Sequence, residues 1–215
     1  MKIRIDLKII IFIILFYITK QIDVYITMLI FCLIHELGHI LVGIILKMKP
    51  DKLELMPYGL KVSFKVLPED LNKKIKNGTL LEVKKILVAL GGPIVSFILA
   101  IMFFYIEPPI VTKTDCIYSN ILILFFNLMP IYPLDGGRII KGILHIKYGN
   151  IASKKMINEI SNISMILITF IYSIAVYYFK NIAYFLICII LWLITIQENK
   201  KFRLNMKIYK ELDNE

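Results

Sequence analysis

The chain has 215 residues, of which 58% are hydrophobic, and it carries a formal net charge of +10. Its mean hydropathy of +0.74 excludes an ordinary soluble domain, in which about half of the residues are apolar, and indicates a chain that lies in a lipid bilayer. The basic residues are spread between apolar runs and form no single patch with interleaved aromatic side chains. This distribution excludes nucleic acid as the partner.

Six apolar runs follow one another along the chain, and we interpret them as membrane spans. A span needs about 20 residues, so the second, third and fifth runs are long enough and the other three are short. The first run is an uncleaved membrane segment that could draw on residues 3–7, and the fourth could continue as broken backbone through Pro130 and Pro133. The runs are Ile9–Ile18, Val24–Leu46, Ile86–Ile106, Cys116–Pro130, Ile157–Phe179 and Ile182–Ile196.

The positions of the basic residues orient these spans, because cytoplasmic loops carry the excess of lysine and arginine. If the N-terminus is cytoplasmic, 23 of the 26 basic residues fall on the cytoplasmic side, and only Lys20, Lys113 and Lys180 fall outside. We therefore predict an integral protein of a bacterial cytoplasmic membrane with both termini in the cytoplasm. Its domains would be residues 1–199, within the membrane, and 200–215, a short basic cytoplasmic tail.

The longest polar stretch lies between the second and third runs. Residues 52–66 alternate apolar and polar side chains around a turn signal, Pro57-Tyr58-Gly59, which predicts a β-hairpin. The hairpin could merely cover the helices, or its edge could bind an extended substrate. The predicted fold is an all-α polytopic membrane protein of about six transmembrane helices, with this small membrane-associated hairpin between the second and third helices.

The second run contains an ionisable motif, His35-Glu36-Leu37-Gly38-His39. On a helix, two histidines four residues apart share a face and can bind one metal ion, and the glutamate between them is placed to act as a general base. Ionisable groups are costly inside hydrocarbon and usually mark a functional site there. Hydrogen bonding between helices is the structural alternative for the two histidines.

A catalytic zinc site commonly has three protein ligands, so a third is needed. The acidic residues near apolar sequence are Asp23, Glu107, Asp115 and Asp135. Asp135 is the strongest candidate because prolines and glycines surround it and break the fourth run, as expected around a site within a membrane. A turn-capping aspartate before Gly136-Gly137 is the alternative.

Three stretches together resemble the site-2 protease family of intramembrane zinc metalloproteases, peptidase M50, and in particular its stage IV sporulation protein FB branch. They are the histidine motif, Gly91-Gly92-Pro93, and the segment from Asn127 to Gly137 that reads Asn-Leu-Met-Pro-Ile-Tyr-Pro-Leu-Asp-Gly-Gly. Leu55-Met-Pro-Tyr-Gly59 also resembles that branch. The similarity covers nearly the whole chain.

The resemblance implies one zinc ion per chain, bound by His35, His39 and Asp135, with Glu36 as the general base. It implies substrate contacts from Asn127, Pro57, Gly59 and Gly92. Ser96 stands where many relatives have asparagine, which puts a secondary contact in doubt. No CBS or PDZ domain is expected in these residues, which puts regulation by nucleotide sensing in doubt.

The expected activity is hydrolysis of a peptide bond in or near a transmembrane segment of a protein substrate, at a site that opens towards the cytoplasm. By analogy the substrate would be a membrane-associated pro-sigma factor in sporulation, and a regulatory membrane protein could be a further partner. Two alternatives stay open: a metal-dependent membrane transporter or sensor, and a relative that binds substrates without cleaving them.

Overall fold

The computed structural model describes residues 2–5, 17, 22–56, 59–65, 76–109, 111–179 and 182–212. These residues are mostly helical, and they belong to two compact units, Met1–Leu128 and Met129–Glu215. The elements of the first unit are β1 (Lys2–Ile5), α1 (Ile22–Ile45), β2 (Lys49–Met56), β3 (Gly59–Lys65), α2 (Lys76–Tyr105) and α3 (Lys113–Leu128). Those of the second unit are α4 (Asp135–Tyr148), α5 (Asn150–Phe179) and α6 (Ile182–Leu212).

Helices α1 and α2 approach each other closely, because glycines face each other where they cross. A Cβ atom on Gly38 would lie 2.7 Å from the carbonyl oxygen of Gly91, and a Cβ on Gly91 would lie equally close to the carbonyl oxygen of Gly38. Helix α3 packs against both, and Phe31, Cys116 and Ile123 form a buried apolar cluster there. The crossing brings the backbone of α2 against the histidine motif of α1.

The first unit also contains a three-stranded sheet in the order β1, β2, β3. Strands β2 and β3 are antiparallel, with Met56 opposite Gly59 and an irregularity between Pro50 and Lys52, where proline cannot donate a ladder hydrogen bond. Strand β3 contacts α1, and the ring of Phe64 fills the space where a side chain on Gly43 would be. The sheet is thereby attached to the helix that carries the histidines.

Residues Lys2–Ile5 form strand β1, which pairs in parallel with β2. The proposal that the first apolar run extends back through residues 3–7 is therefore wrong for Ile3 and Ile5. The sequence Lys-Ile-Arg-Ile alternates polar and apolar side chains, which suits a strand better than a membrane helix. The run Ile9–Ile18 itself lies outside the described residues except for Tyr17.

In the second unit, α4 packs against α5 and α5 against α6. Met165 of α5 and Leu191 of α6 are fully buried, and polar pairs cross the same interface, among them Asn199 Nδ2 donating to Asn162 Oδ1 at 2.9 Å. Helix α6 continues without interruption through residue 199. The division at residue 199 into a membrane domain and a tail stays a prediction.

Three helical segments in the described ranges are long and apolar enough to cross a membrane: Tyr25–Ile45, Leu80–Tyr105 and Asn150–Tyr178. They correspond to the second, third and fifth predicted spans. The fourth predicted span is a helix of 16 residues, α3, which extends about 24 Å and falls short of the roughly 30 Å hydrocarbon layer. The prediction of six spans is therefore not supported.

Candidate metal centre

Both histidines of the motif lie on the buried face of α1, and each side chain is 2% exposed. Their ring centroids are 5.0 Å apart, as expected for residues one turn apart on a helix. Glu36 is only partly buried. The motif thus presents two imidazoles on one face and a carboxylate beside them.

A stripe of residues on α2 faces the two imidazoles. Val88, Gly92 and Ser96 recur every fourth residue and therefore share one side of that helix. Ser96 Oγ lies 2.8 Å from Nδ1 of His35, and the carbonyl oxygen of Val88 lies 2.6 Å from Nδ1 of His39. Each histidine is therefore held through Nδ1, and Nε2 is the nitrogen that would bind a metal.

The contact with Val88 defines the tautomer of His39. A carbonyl oxygen can only accept, so Nδ1 of His39 carries the proton and Nε2 has a lone pair in the neutral ring. The backbone N–H of Gly92 also lies 3.2 Å from this Nδ1, a geometry that would require Nδ1 to accept. We assign the proton to Nδ1 because the contact with the carbonyl is much shorter.

Gly92 lies directly against the Nε2 atoms of both imidazoles. A Cβ atom there would be 2.5 Å from Nε2 of His39 and would also collide with Nε2 of His35. Any side chain at this position would displace both imidazole rings. The glycine therefore makes room for the two rings to lie against α2.

Asp135 is the first residue of α4 and is 4% exposed. Its carboxylate lies at a helix N-terminus, where a negative charge is favoured, and Nη1 of Arg138 is 3.4 Å from its Oδ1. The preceding loop is held by a hydrogen bond from the backbone N–H of Tyr132 to Ser161 Oγ at 2.9 Å. Gly136 and Gly137 are helical, and Gly137 packs against the carbonyl of Ile131. The structure therefore places Asp135 in a helical first turn.

His35 and His39 each offer an imidazole nitrogen as a ligand atom, and Asp135 offers a carboxylate oxygen; all three residues are buried. Two imidazole nitrogens with one carboxylate oxygen are a donor set that suits zinc in hydrolases. The residues therefore fit a zinc ion.

The positions of the other predicted site residues do not test their proposed roles in substrate binding. Asn127 lies in the last turn of α3, where its Nδ2 donates to the carbonyl of Ile123 at 3.0 Å. Gly59 begins β3, and Pro57 lies outside the described residues. Their roles in substrate binding, like that of Gly92, stay predictions. Cys32, one turn before His35, packs against the apolar cluster around Phe31.

The partners that orient the predicted ligands could not be assigned from the sequence. These are Ser96, the backbone carbonyl of Val88 and Arg138. Val88, Gly92 and Ser96 are spaced by four residues on an apolar helix, which matches the spacing of the two histidines and could have indicated a facing surface. Nothing in the sequence indicated that this stripe of α2 packs against the histidines of α1.

The model of Peptidase family M50 matches residues 24–113 and 114–171. The chain belongs to peptidase family M50. This confirms the family predicted from the motifs, and together with the three apolar helices it indicates an integral membrane protein.

Other M50-related proteins resemble the chain in sequence and structure. Zinc metalloprotease MJ0392 of Methanocaldococcus jannaschii is 29% identical over 68% of the chain, and stage IV sporulation protein FB of Bacillus subtilis is 27% identical over 57%. The matched regions span 42% and 40% of those relatives. The site-2 protease structure from Methanocaldococcus jannaschii matches 91% of the chain and 89% of its own, with a TM-score of 0.64 and 25% identity. The narrower assignment to the sporulation branch stays a prediction.

Proposed function

We propose that the protein is an intramembrane zinc metalloprotease that hydrolyses a peptide bond in or near a transmembrane segment of a protein substrate. The observation that carries the proposal is the geometry of the imidazoles. Nδ1 of His35 and of His39 is held by a partner on α2, and the Nε2 atoms of both rings lie against Gly92. With Nδ1 held in this way, Nε2 is the nitrogen of each ring that would bind a metal.

One zinc ion per chain would be held by His35, His39 and Asp135. When bound, zinc polarises a carbonyl and lowers the pKa of water. Arg138 orients the carboxylate of Asp135 through their contact at 3.4 Å. A carboxylate binds a metal in its ionised form.

Glu36 acts as the general base. It lies next to His35 on α1 and is only partly buried. Its carboxylate is therefore proposed to accept a proton from a water molecule beside the two imidazoles. It takes a proton from the attacking water and passes it to the departing amine, as general acid–base catalysis requires. Asn127 is proposed to contact the substrate carbonyl through its amide.

Strand β3 is proposed to hold the substrate. In the sheet order β1, β2, β3 the two outer strands are β1 and β3, and β3 is the one attached to α1 through Phe64 and Gly43. An extended peptide that pairs with this edge gains backbone hydrogen bonds without any demand on its sequence. Pro57 and Gly59 would shape the turn at the end of that edge.

The orientation in the membrane rests on the distribution of basic residues. With both termini cytoplasmic, α1 runs inwards, and Lys47, just beyond its end, marks the cytoplasmic boundary. His35 would then lie about 18 Å, and His39 about 12 Å, from that boundary. A site at this depth lies inside the bilayer and opens towards the cytoplasm.

The substrate class is proposed more narrowly by analogy with stage IV sporulation protein FB of Bacillus subtilis. On that analogy the substrate is a membrane-associated pro-sigma factor, and a regulatory membrane protein controls access. The likeness covers 57% of the chain, so this step rests on analogy between relatives.

Cleavage of two matched substrates tests the proposal. The zinc-loaded protein in lipid vesicles should cleave a tagged single-span protein, and two glycines in the middle of its helix should raise the rate by up to about 30-fold. The reason is that each glycine makes the helix about 1 kcal/mol less favourable and the substrate must unwind to pair with β3. A zinc chelator should stop cleavage, and added zinc should restore it.

Cleavage that continues unchanged in the chelated protein would contradict a metalloprotease. Transfer of metal across the vesicle membrane without cleavage of either substrate would favour the transporter alternative. Binding of both substrates without cleavage, in protein that contains zinc, would favour a non-catalytic relative.

A further inference from the structure

We infer that Ser96 is a positioning residue for His35, and that the affinity of the site for zinc depends on its hydroxyl group. The inference rests on the proposed function, since it assumes that His35 is a metal ligand. It assigns a role to a serine that stands where many members of the family have asparagine. It also distinguishes the two histidines, since a side chain holds His35 and a backbone carbonyl holds His39.

Ser96 is fully buried, and its Oγ lies 2.8 Å from Nδ1 of His35. A buried hydroxyl is costly unless it is hydrogen-bonded, and this contact satisfies it. When Nδ1 donates to Oγ, the neutral ring keeps its lone pair on Nε2. The serine thus holds the rotation of the ring that lies against Gly92 and can accept from Nδ1 in the tautomer that binds a metal through Nε2.

The equivalent partner of His39 is a backbone carbonyl. Val88 O lies 2.6 Å from Nδ1 of His39, and it stays in place whatever side chain occupies position 88. A carbonyl can only accept, whereas a hydroxyl can accept or donate. His39 is therefore held at Nδ1 by the backbone of α2, whereas His35 is held at Nδ1 by a side chain that can be removed.

The spacing on α2 explains why one serine is enough. Ser96 and Val88 lie one turn on either side of Gly92, so the stripe places a hydrogen-bond partner at each end and no side chain in the middle. These partners hold the Nδ1 atoms, while the Nε2 atoms of both rings lie against Gly92. Loss of the oxygen at position 96 would leave one end of this arrangement without its acceptor.

The first test is zinc affinity, measured by competition between the full-length protein and a chromophoric chelator. Ser96→Ala removes the hydroxyl but keeps a small residue that favours helix, so α2 should fold. Loss of a group that orients a metal-binding histidine typically weakens affinity 10-fold to 100-fold, and we expect a loss in that range. Ser119→Ala is the matched control, because Ser119 is a buried serine on α3, 5% exposed, with no role in the proposed site.

A loss of at least fivefold in Ser96→Ala, with less than fivefold in Ser119→Ala, supports the inference. A smaller loss in Ser96→Ala overturns it, and so does a loss of fivefold or more in both variants, which would indicate general loosening of the helices. His35→Ala separates this from failure of the proposed function. If wild type binds zinc no better than His35→Ala, the metal site itself is wrong.

The second test uses Co²⁺ in place of zinc, at saturating concentration, so that affinity no longer matters. Rotation of one imidazole changes the ligand field, and the visible absorption bands of Ser96→Ala should differ from those of wild type in position or intensity. Bands identical to wild type would overturn the inference even if the affinity had fallen, because a merely structural role would leave the geometry of the loaded site unchanged.

Discussion

Glu36→Gln should lower the rate of peptide-bond cleavage by about 10²-fold to 10⁴-fold, the usual contribution of a general base. Glutamine has nearly the same shape as glutamate, so the packing of α1 should be kept, but its amide cannot take a proton from water. Zinc affinity should stay within about threefold of wild type, because Glu36 is not proposed as a ligand. The measurement is the single-turnover rate on a tagged single-span substrate, together with the zinc content of the same sample.

The matched control is Glu82→Gln. Glu82 is a buried glutamate of α2, 8% exposed, and its carboxylate pairs with Lys85 at 2.6 Å. Since Lys85 is partly exposed, the loss of this pair should cost little, and cleavage should fall by less than about threefold. If Glu36→Gln cleaved the substrate as fast as Glu82→Gln does, the proposed base would be wrong.

Asp135→Ala should weaken zinc binding by more than about 100-fold, because it removes one of three proposed ligands to a site of high affinity. The fold should survive. A negative charge at a helix N-terminus contributes only about 0.3–1 kcal/mol, which is small beside the 5–15 kcal/mol by which domains are usually stable. The measurement is a chelator competition on the purified variant, with circular dichroism to confirm the helix content.

Asp115→Ala is a close control for this change. Asp115 lies in the first turn of α3, as Asp135 does in α4, but it is exposed and accepts a hydrogen bond from Thr112 Oγ1 at 2.6 Å. Its loss should not change zinc affinity. Equal zinc affinities for the two variants would show that Asp135 is not a ligand.

Local patterns in the sequence predicted much of the helical structure. The second, third and fifth apolar runs are long enough to span a membrane, and each corresponds to an apolar helix. Lys2–Ile5 forms strand β1, whereas the sequence suggested that Ile3 and Ile5 could extend the first membrane span. The strand could not be predicted because it pairs with β2, about 50 positions away, and a contact between distant residues leaves no local pattern. Helix α3 was counted as a span from its composition, but the backbone leaves the helix after Leu128, just before Pro130.

For the candidate site, too, some features could be predicted from local sequence patterns and others could not. His35 and His39 could be predicted because their spacing on one helix is sufficient to place them on one face. The partner of each Nδ1 atom could not be predicted, since it depends on how α1 and α2 cross at Gly38 and Gly91. Asp135 was ambiguous because the glycines that follow it are typical of a turn, whereas here they form the first turn of α4 and allow close packing on Ile131.

X-ray absorption spectroscopy at the zinc edge of the purified wild-type protein tests the central claim most directly. The account predicts one zinc ion per chain, with nitrogen and oxygen neighbours at about 2.0–2.2 Å and outer-shell scattering from two imidazole rings. A sulfur neighbour at about 2.3 Å would instead implicate Cys32. That result, or scattering from fewer than two imidazoles, would contradict a site built from His35, His39 and Asp135.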